Sequence, residues 1–151
     1  MSILLKYATL ITLVFFIWSC SAPDENSKEK VVVPEKITLL FVTQPSCPSC
    51  DNLEETMELA KPQELLKNYF EVKKVYLGEK LPDGLEEPNG TPTVYFLGAN
   101  NEVLVEPMIG EREELGLIEF LEDALLEFKK TYHVDLIEKK LKEENKHAKT
   151  N

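Results

Sequence analysis

Residues 36–50 read KITLLFVTQPSCPSC, and the order of events within them decides the fold. Lys36–Thr43 is a continuous apolar run rich in β-branched and aromatic side chains, of the right length for a buried central strand. Gln44-Pro45-Ser46 breaks the run. From Pro48 a helix is predicted, because proline suits the first helical position and Leu53, Met57 and Ala60 recur at helical spacing. Cys47 and Cys50 therefore fall on a strand-to-helix junction. An attacking sulfur must be a thiolate, and a helix N-terminus supplies partial positive charge and free N–H groups that stabilise one. The two intervening residues, Pro48 and Ser49, let the second sulfur fold back within disulfide reach. Cys47 is read as the nucleophile at the exposed, helix-capping end, and Cys50, about one turn inside, as the resolving thiol.

Working outward, Pro62 restarts the chain, and Gln63–Phe70 (QELLKNYF) is predicted as a second short helix. Glu71–Leu77 (EVKKVYL) reads as a strand. Residues 78–90 (GEKLPDGLEEPNG) form a polar connection with three turn signals. Thr93–Leu97 (TVYFL) is a third strand, with Tyr95 and Phe96 on opposite faces. Gly98-Ala99-Asn100-Asn101 turns the chain, and Glu102–Glu106 (EVLVE) is expected to return it as a hairpin. Glu113–Thr131 is the clearest helix: Leu117, Leu121, Ala124 and Phe128 share one stripe, joined by Ile118 and Leu125. Glu113 and Glu114 suit its start, Lys129 and Lys130 its end, and His133 is read as ending it. Val134–Leu141 can extend helically, and residues 142–151 (KEENKHAKTN) read as a frayed, charged tail. Val31–Val33 are candidates for pairing onto a sheet edge. A parallel βαβ unit, a hairpin and a terminal helix make an α/β fold around one sheet.

The first 20 residues are of another kind. Lys6 precedes the apolar run Tyr7–Trp18, and no acid occurs before Asp24. This describes a secretory signal, and the run is short of the roughly 20 residues a membrane span needs. Ile17-Trp18-Ser19-Cys20 resembles the lipobox of bacterial lipoproteins, with Trp18 bulkier than most. That resemblance implies cleavage before Cys20 and acylation of it, which with two or three chains makes a stable membrane anchor. Cleavage near Ser21-Ala22, or an uncleaved anchor, is the alternative. Residues 1–19 are then a signal peptide, and residues 20–35 a lipidated cysteine with a flexible, polar tether. Losing residues 1–19 removes one lysine and no acid, leaving the chain one unit more negative than the −10 of the whole. Such a body suits neither nucleic acid nor an anionic lipid surface. Its charge is the ordinary means of staying soluble, and a monomer is expected.

Other uses of the cysteine pair fit less well. Structural zinc takes four ligands, whereas the mature chain has one further cysteine, and His133 and His147 are distant in sequence. Haem attachment needs a histidine after the second cysteine, and Asp51 stands there. A purely structural disulfide is hard to reconcile with so short a loop opening a helix. No metal and no cofactor beyond the dithiol itself are expected.

The succession of strand, CPSC and helix, then Gly90-Thr91-Pro92-Thr93-Val94, a hairpin, Gly110 and a final amphipathic helix resembles the thioredoxin superfamily across about residues 36–130. The resemblance implies a thioredoxin-like domain at 36–131, followed at 132–151 by a helical extension and charged tail. It implies a central mixed β-sheet flanked by helices, with the CxxC motif at the N-terminus of the first. It also implies a cis bond before Pro92, set beside the cysteines, and client contacts from Pro48, Ser49, Thr91 and Pro92, with Thr91 offering backbone groups to an incoming strand. An ordinary trans proline at a strand start is the other reading of Pro92. Two departures separate the chain from thioredoxin proper: Ser46 replaces a tryptophan, and Phe41 occupies the place of a buried proton-transferring aspartate. The sequence is more similar to periplasmic Dsb-like or SoxW-like proteins, and water or Glu54 is left to deprotonate Cys50.

The expectation is an exported thiol–disulfide oxidoreductase in the periplasm or cell envelope, lipid-anchored, for which the outer membrane fits because Ser21 is no inner-membrane retention signal. Its partners would be thiols and disulfides of exported proteins, with a membrane-embedded electron donor. Asp51 and Glu54 oppose thiolate formation and no histidine lies between the cysteines, so a reductase is favoured over an oxidase. The alternative is a non-enzymatic surface lipoprotein that uses the fold to bind a partner or to hold Cu(I) on two thiolates.

Overall fold

The computed structural model describes residues 32–148. The expected signal segment, Cys20 and the tether up to residue 31 lie outside the described residues. Strand β1 (Ile37–Thr43) is followed by helices α1 (Pro48–Met57) and α2 (Ala60–Tyr69). Then come β2 (Phe70–Tyr76), β3 (Thr93–Leu97), β4 (Met108–Ile109), α3 (Glu114–Tyr132) and α4 (Leu136–Ala148). The sheet order is β2-β1-β3-β4, with β1 parallel to β2 and antiparallel to β3, and β3 antiparallel to β4. This is the expected mixed sheet.

The alternation of side chains along β1 assigns two faces. Ile37, Leu39 and Phe41, with Val94, Phe96 and Met108, pack beneath all four helices in the main core. Leu40 and Val42 point the other way, with Tyr95 and Leu97, and are covered by Leu81 and Leu85 of the connection between β2 and β3. The helices thus flank one face of the sheet, and a loop without regular structure closes the other. The six stripe residues of α3 are all buried, and Tyr95 and Phe96 split between the faces as the alternation requires.

Several boundaries differ from the sequence reading, each for a physical reason. Ala60 is exposed and opens α2 rather than closing α1. Pro62 has no N–H and its ring would collide with the carbonyl four residues back, so α1 must stop and Pro62 must sit in a first turn. The returning strand is not Glu102–Glu106. Only Val103 bridges to Leu97 and Leu104 N–H donates to the Phe96 carbonyl, before regular pairing resumes at Met108 and Ile109. The register shifts by two residues between Leu104 and Met108, so the chain bulges over 105–107, a stretch that includes Pro107, which cannot donate to a ladder. Val32 and Val33 are exposed and unpaired in the sheet.

Residues 142–148 are helical rather than frayed. The Asp135 carboxylate accepts the N–H groups of Ile137 and Glu138 at 3.0 Å each, and Lys142 and Lys140 pair with Glu138 and Glu144 one turn away. His133 does end α3, in the left-handed conformation (φ 55°).

Candidate functional site

Cys47 is the N-cap of α1. Its backbone is extended, Pro48 follows in the first turn, and the preceding Ser46 takes a left-handed turn (φ 57°) that swings the chain off β1. The Cys47 carbonyl accepts from Cys50 N–H at 3.0 Å and Asp51 N–H at 3.1 Å. Its sulfur accepts from Cys50 N–H at 3.2 Å. Cys47 and Cys50 are joined by a disulfide with Cα atoms 5.2 Å apart. A sulfur therefore stands where a serine or aspartate would cap an ordinary helix, directly on the amide donors that would stabilise it as an anion.

The Thr91-Pro92 bond is cis, and Thr91 Oγ1 lies 3.6 Å from the Cys47 sulfur. β3 starts at the next residue, Thr93, whose hydroxyl donates to the Gly90 carbonyl at 2.8 Å. The Pro92 carbonyl accepts from Gly110 N–H at 2.8 Å. Gly110 has φ 82°, which favours glycine and lets the chain turn from β4 past the proline. Three segments separated widely in sequence thus meet: 46–50, 91–92 and 109–111.

Of the residues singled out from sequence, Cys47, Cys50, Thr91 and Pro92 are brought together, with Pro48 and Ser49 on the turn between the sulfurs. Pro48 is exposed and Ser49 half-buried. Cys47 is less accessible than expected: the residue is 6% exposed and Cys50 1%. In the disulfide both sulfurs satisfy each other and both residues join the main core, with Thr91 against the outer one. What exposure the pair retains belongs to Cys47.

The sequence reading missed two side-chain partnerships at this site. Glu54, a candidate base for Cys50, is engaged by Lys74 of β2. The Lys74 ammonium lies 5.8 Å from the ring centroid of Phe41, and its bond to Glu54 raises its pKa. Asn52 Nδ2 donates to Glu111 Oε2 at 2.7 Å, tying α1 to the segment after β4. Glu111 directly follows Gly110, and that glycine was the signal in the sequence that could have placed it here.

No family model matches the chain, and no curated protein matches it. Solved structures do. The periplasmic thioredoxin SoxS from Paracoccus pantotrophus, in reduced form, is 23% identical with a TM-score of 0.45, over 59% of this chain and 99% of that one. A disulphide isomerase from Xylella fastidiosa Temecula1 is 22% identical with a TM-score of 0.49, over 58% of this chain and 77% of that one. A thioredoxin from Thermus thermophilus is 22% identical with a TM-score of 0.46, over 58% and 72%. At these identities and TM-scores the likenesses add nothing to what the chain itself displays. Its own sheet order, capping cysteine and neighbouring cis-proline describe a thioredoxin-like fold.

Proposed function

We propose that this chain is an exported, lipid-anchored thiol–disulfide oxidoreductase that works as a reductase of disulfides in other exported proteins. One observation carries the reading: the Cys47–Cys50 disulfide opens α1 with its outer sulfur as the helix cap, beside Thr91. In the dithiol form the Cys47 thiolate attacks one sulfur of a client disulfide. A mixed disulfide forms between Cys47 and that sulfur, and the other client sulfur leaves as a thiolate and takes a proton. Cys50 then loses its proton and attacks the Cys47 sulfur. The Cys47–Cys50 bond forms, the mixed bond breaks, and the client leaves as a dithiol. Two electrons have passed to the client, and a dithiol donor must return them.

The client strand would lie along Thr91 and Pro92, with Pro48 and Ser49 forming the opposite lip. The reaction needs no cofactor besides the dithiol. A signal segment ending at Cys20 supports export and anchoring in the cell envelope, with a membrane-embedded dithiol protein as donor.

The purified protein should accelerate reduction of a protein disulfide by dithiothreitol, and Cys47→Ser should abolish the acceleration. Equal rates for the two proteins would remove the enzymatic reading. Binding of one Cu(I) per reduced protein with no reductase activity would replace it with the metal-holding one.

A further inference from the structure

The walls of the site carry a net negative charge. The segments that build it and the residues flanking them, 44–52, 90–93 and 109–114, hold Asp51, Glu111, Glu113 and Glu114 against the single cation Arg112. Arg112 stays beside this segment: its guanidinium donates to the Glu111 backbone carbonyl at 2.8 Å, not to a carboxylate, and lies 5.7 Å from the Phe120 ring centroid. Both lysines of the adjoining strand β2 are engaged by carboxylates, Lys74 by Glu54 and Lys73 by Glu71. Among these carboxylates Glu111 is the one fixed in place. Gly110 N–H holds its backbone to the Pro92 carbonyl, and Asn52, two residues past Cys50, holds its carboxylate at 2.7 Å. Its carboxylate therefore ties α1, just past the cysteines, to the segment that adjoins Pro92. Beside it Ile109 is 58% exposed, an apolar surface suited to the aliphatic stem of a lysine or arginine.

We propose that Glu111 is a specificity-determining residue: it selects client disulfides flanked by lysine or arginine and disfavours anionic disulfides. This rests on the thiol–disulfide exchange reading. A cationic residue beside the client disulfide meets the Glu111 carboxylate as the sulfurs approach, so the effect falls on the encounter and on the mixed-disulfide transition state. An anionic low-molecular-weight disulfide meets repulsion at the same point.

The test compares the reduced wild-type protein with Glu111→Gln and Glu111→Lys. Glutamine keeps the shape and can still accept from Asn52. The rate of oxidation of the dithiol is measured with cystamine, a dication, and with 3,3′-dithiodipropionate, a dianion. Comparing each variant's ratio of rates with that of wild type cancels the intrinsic difference between the reagents. In Glu111→Gln the ratio of cystamine to dithiodipropionate should fall about three- to tenfold at low ionic strength, and further in Glu111→Lys. In about 0.5 M salt, where the Debye length is about 4 Å, the three proteins should converge. An unchanged ratio in both variants, with Cys47→Ser unreactive, overturns the selectivity while leaving exchange intact. A wild-type protein that reacts no faster than Cys47→Ser overturns exchange itself.

Discussion

A hydroxyl 3.6 Å from the Cys47 sulfur is placed to donate to it once the disulfide opens. A hydrogen bond to a charged group contributes roughly 1.5–3 kcal/mol, so Thr91→Val, which keeps the shape and loses the donor, should slow alkylation of the reduced protein at neutral pH by about tenfold. Timed reaction with iodoacetamide would show this, and an unchanged rate would assign the thiolate to the helix end alone. Cys47, Cys50, Thr91 and Pro92 could be picked from sequence because each is marked by local chemistry: a spacing, a helix start, a proline before a strand. Lys74 with Glu54 and Asn52 with Glu111 could not. Their partners are 20 and 59 residues apart, and they meet only because strand register and the turn at Gly110 bring them together.

At the scale of elements, the helices and strands with a complete apolar stripe were legible, and those defined by their ends were not. The stripe of α3 announces itself. The displaced β4 does not, because EVLVE alternates as a strand should, and only the missing donor of Pro107 shifts the pairing. The extent of α4 depends on its cap. Asp135 accepts two amide protons and pairs with Lys129 at 2.9 Å, and these contacts, the Lys129 bond foremost, lower its pKa below 3.8. A depressed carboxylate stabilises the fold above its unfolded value and loses that contribution as pH falls through its folded value. Asp135→Ala should therefore cost about 0.5–2 kcal/mol at neutral pH, and in urea titrations the gap from wild type should narrow below pH 3.8. A gap that stays constant into acid would locate the cost elsewhere.

The C-terminal end of α3 illustrates a close approach. Tyr132 hydroxyl donates to Glu102 at 2.8 Å and accepts from Ala99 N–H at 2.7 Å, joining the helix to the turn after β3. A Cβ on Gly98 would fall 2.2 Å from that hydroxyl. Gly98→Ala should destabilise by about 1–3 kcal/mol as the ring is forced aside, and Tyr132→Phe by about 1 kcal/mol. Because the alanine already breaks what the phenylalanine removes, the double variant should cost less than the sum. Full additivity in thermal denaturation would mean that the two residues do not compete for the same space.

For the whole molecule, the asymmetry of the two sheet faces matters most. Four helices secure one face, but the other depends on residues 77–92, whose last two positions are Thr91 and Pro92 themselves. That connection is fastened by Leu81 and Leu85 on Leu40, Val42, Tyr95 and Leu97, and by the Tyr95 hydroxyl, which donates to the Glu86 carbonyl at 2.8 Å. The wall that faces the disulfide therefore hangs from the more thinly covered side of the domain. A segment held by so few contacts opens locally at a lower free energy than the helical core. Tyr95→Phe removes one fastening bond while keeping the ring in place, a change of about 0.5–1.5 kcal/mol. Hydrogen exchange should then quicken by roughly three- to tenfold in residues 78–91 and change little in α3. Uniform quickening throughout the domain would show instead that the connection and the core open as one unit, and that the site is as firmly built on its loop side as on its helical side.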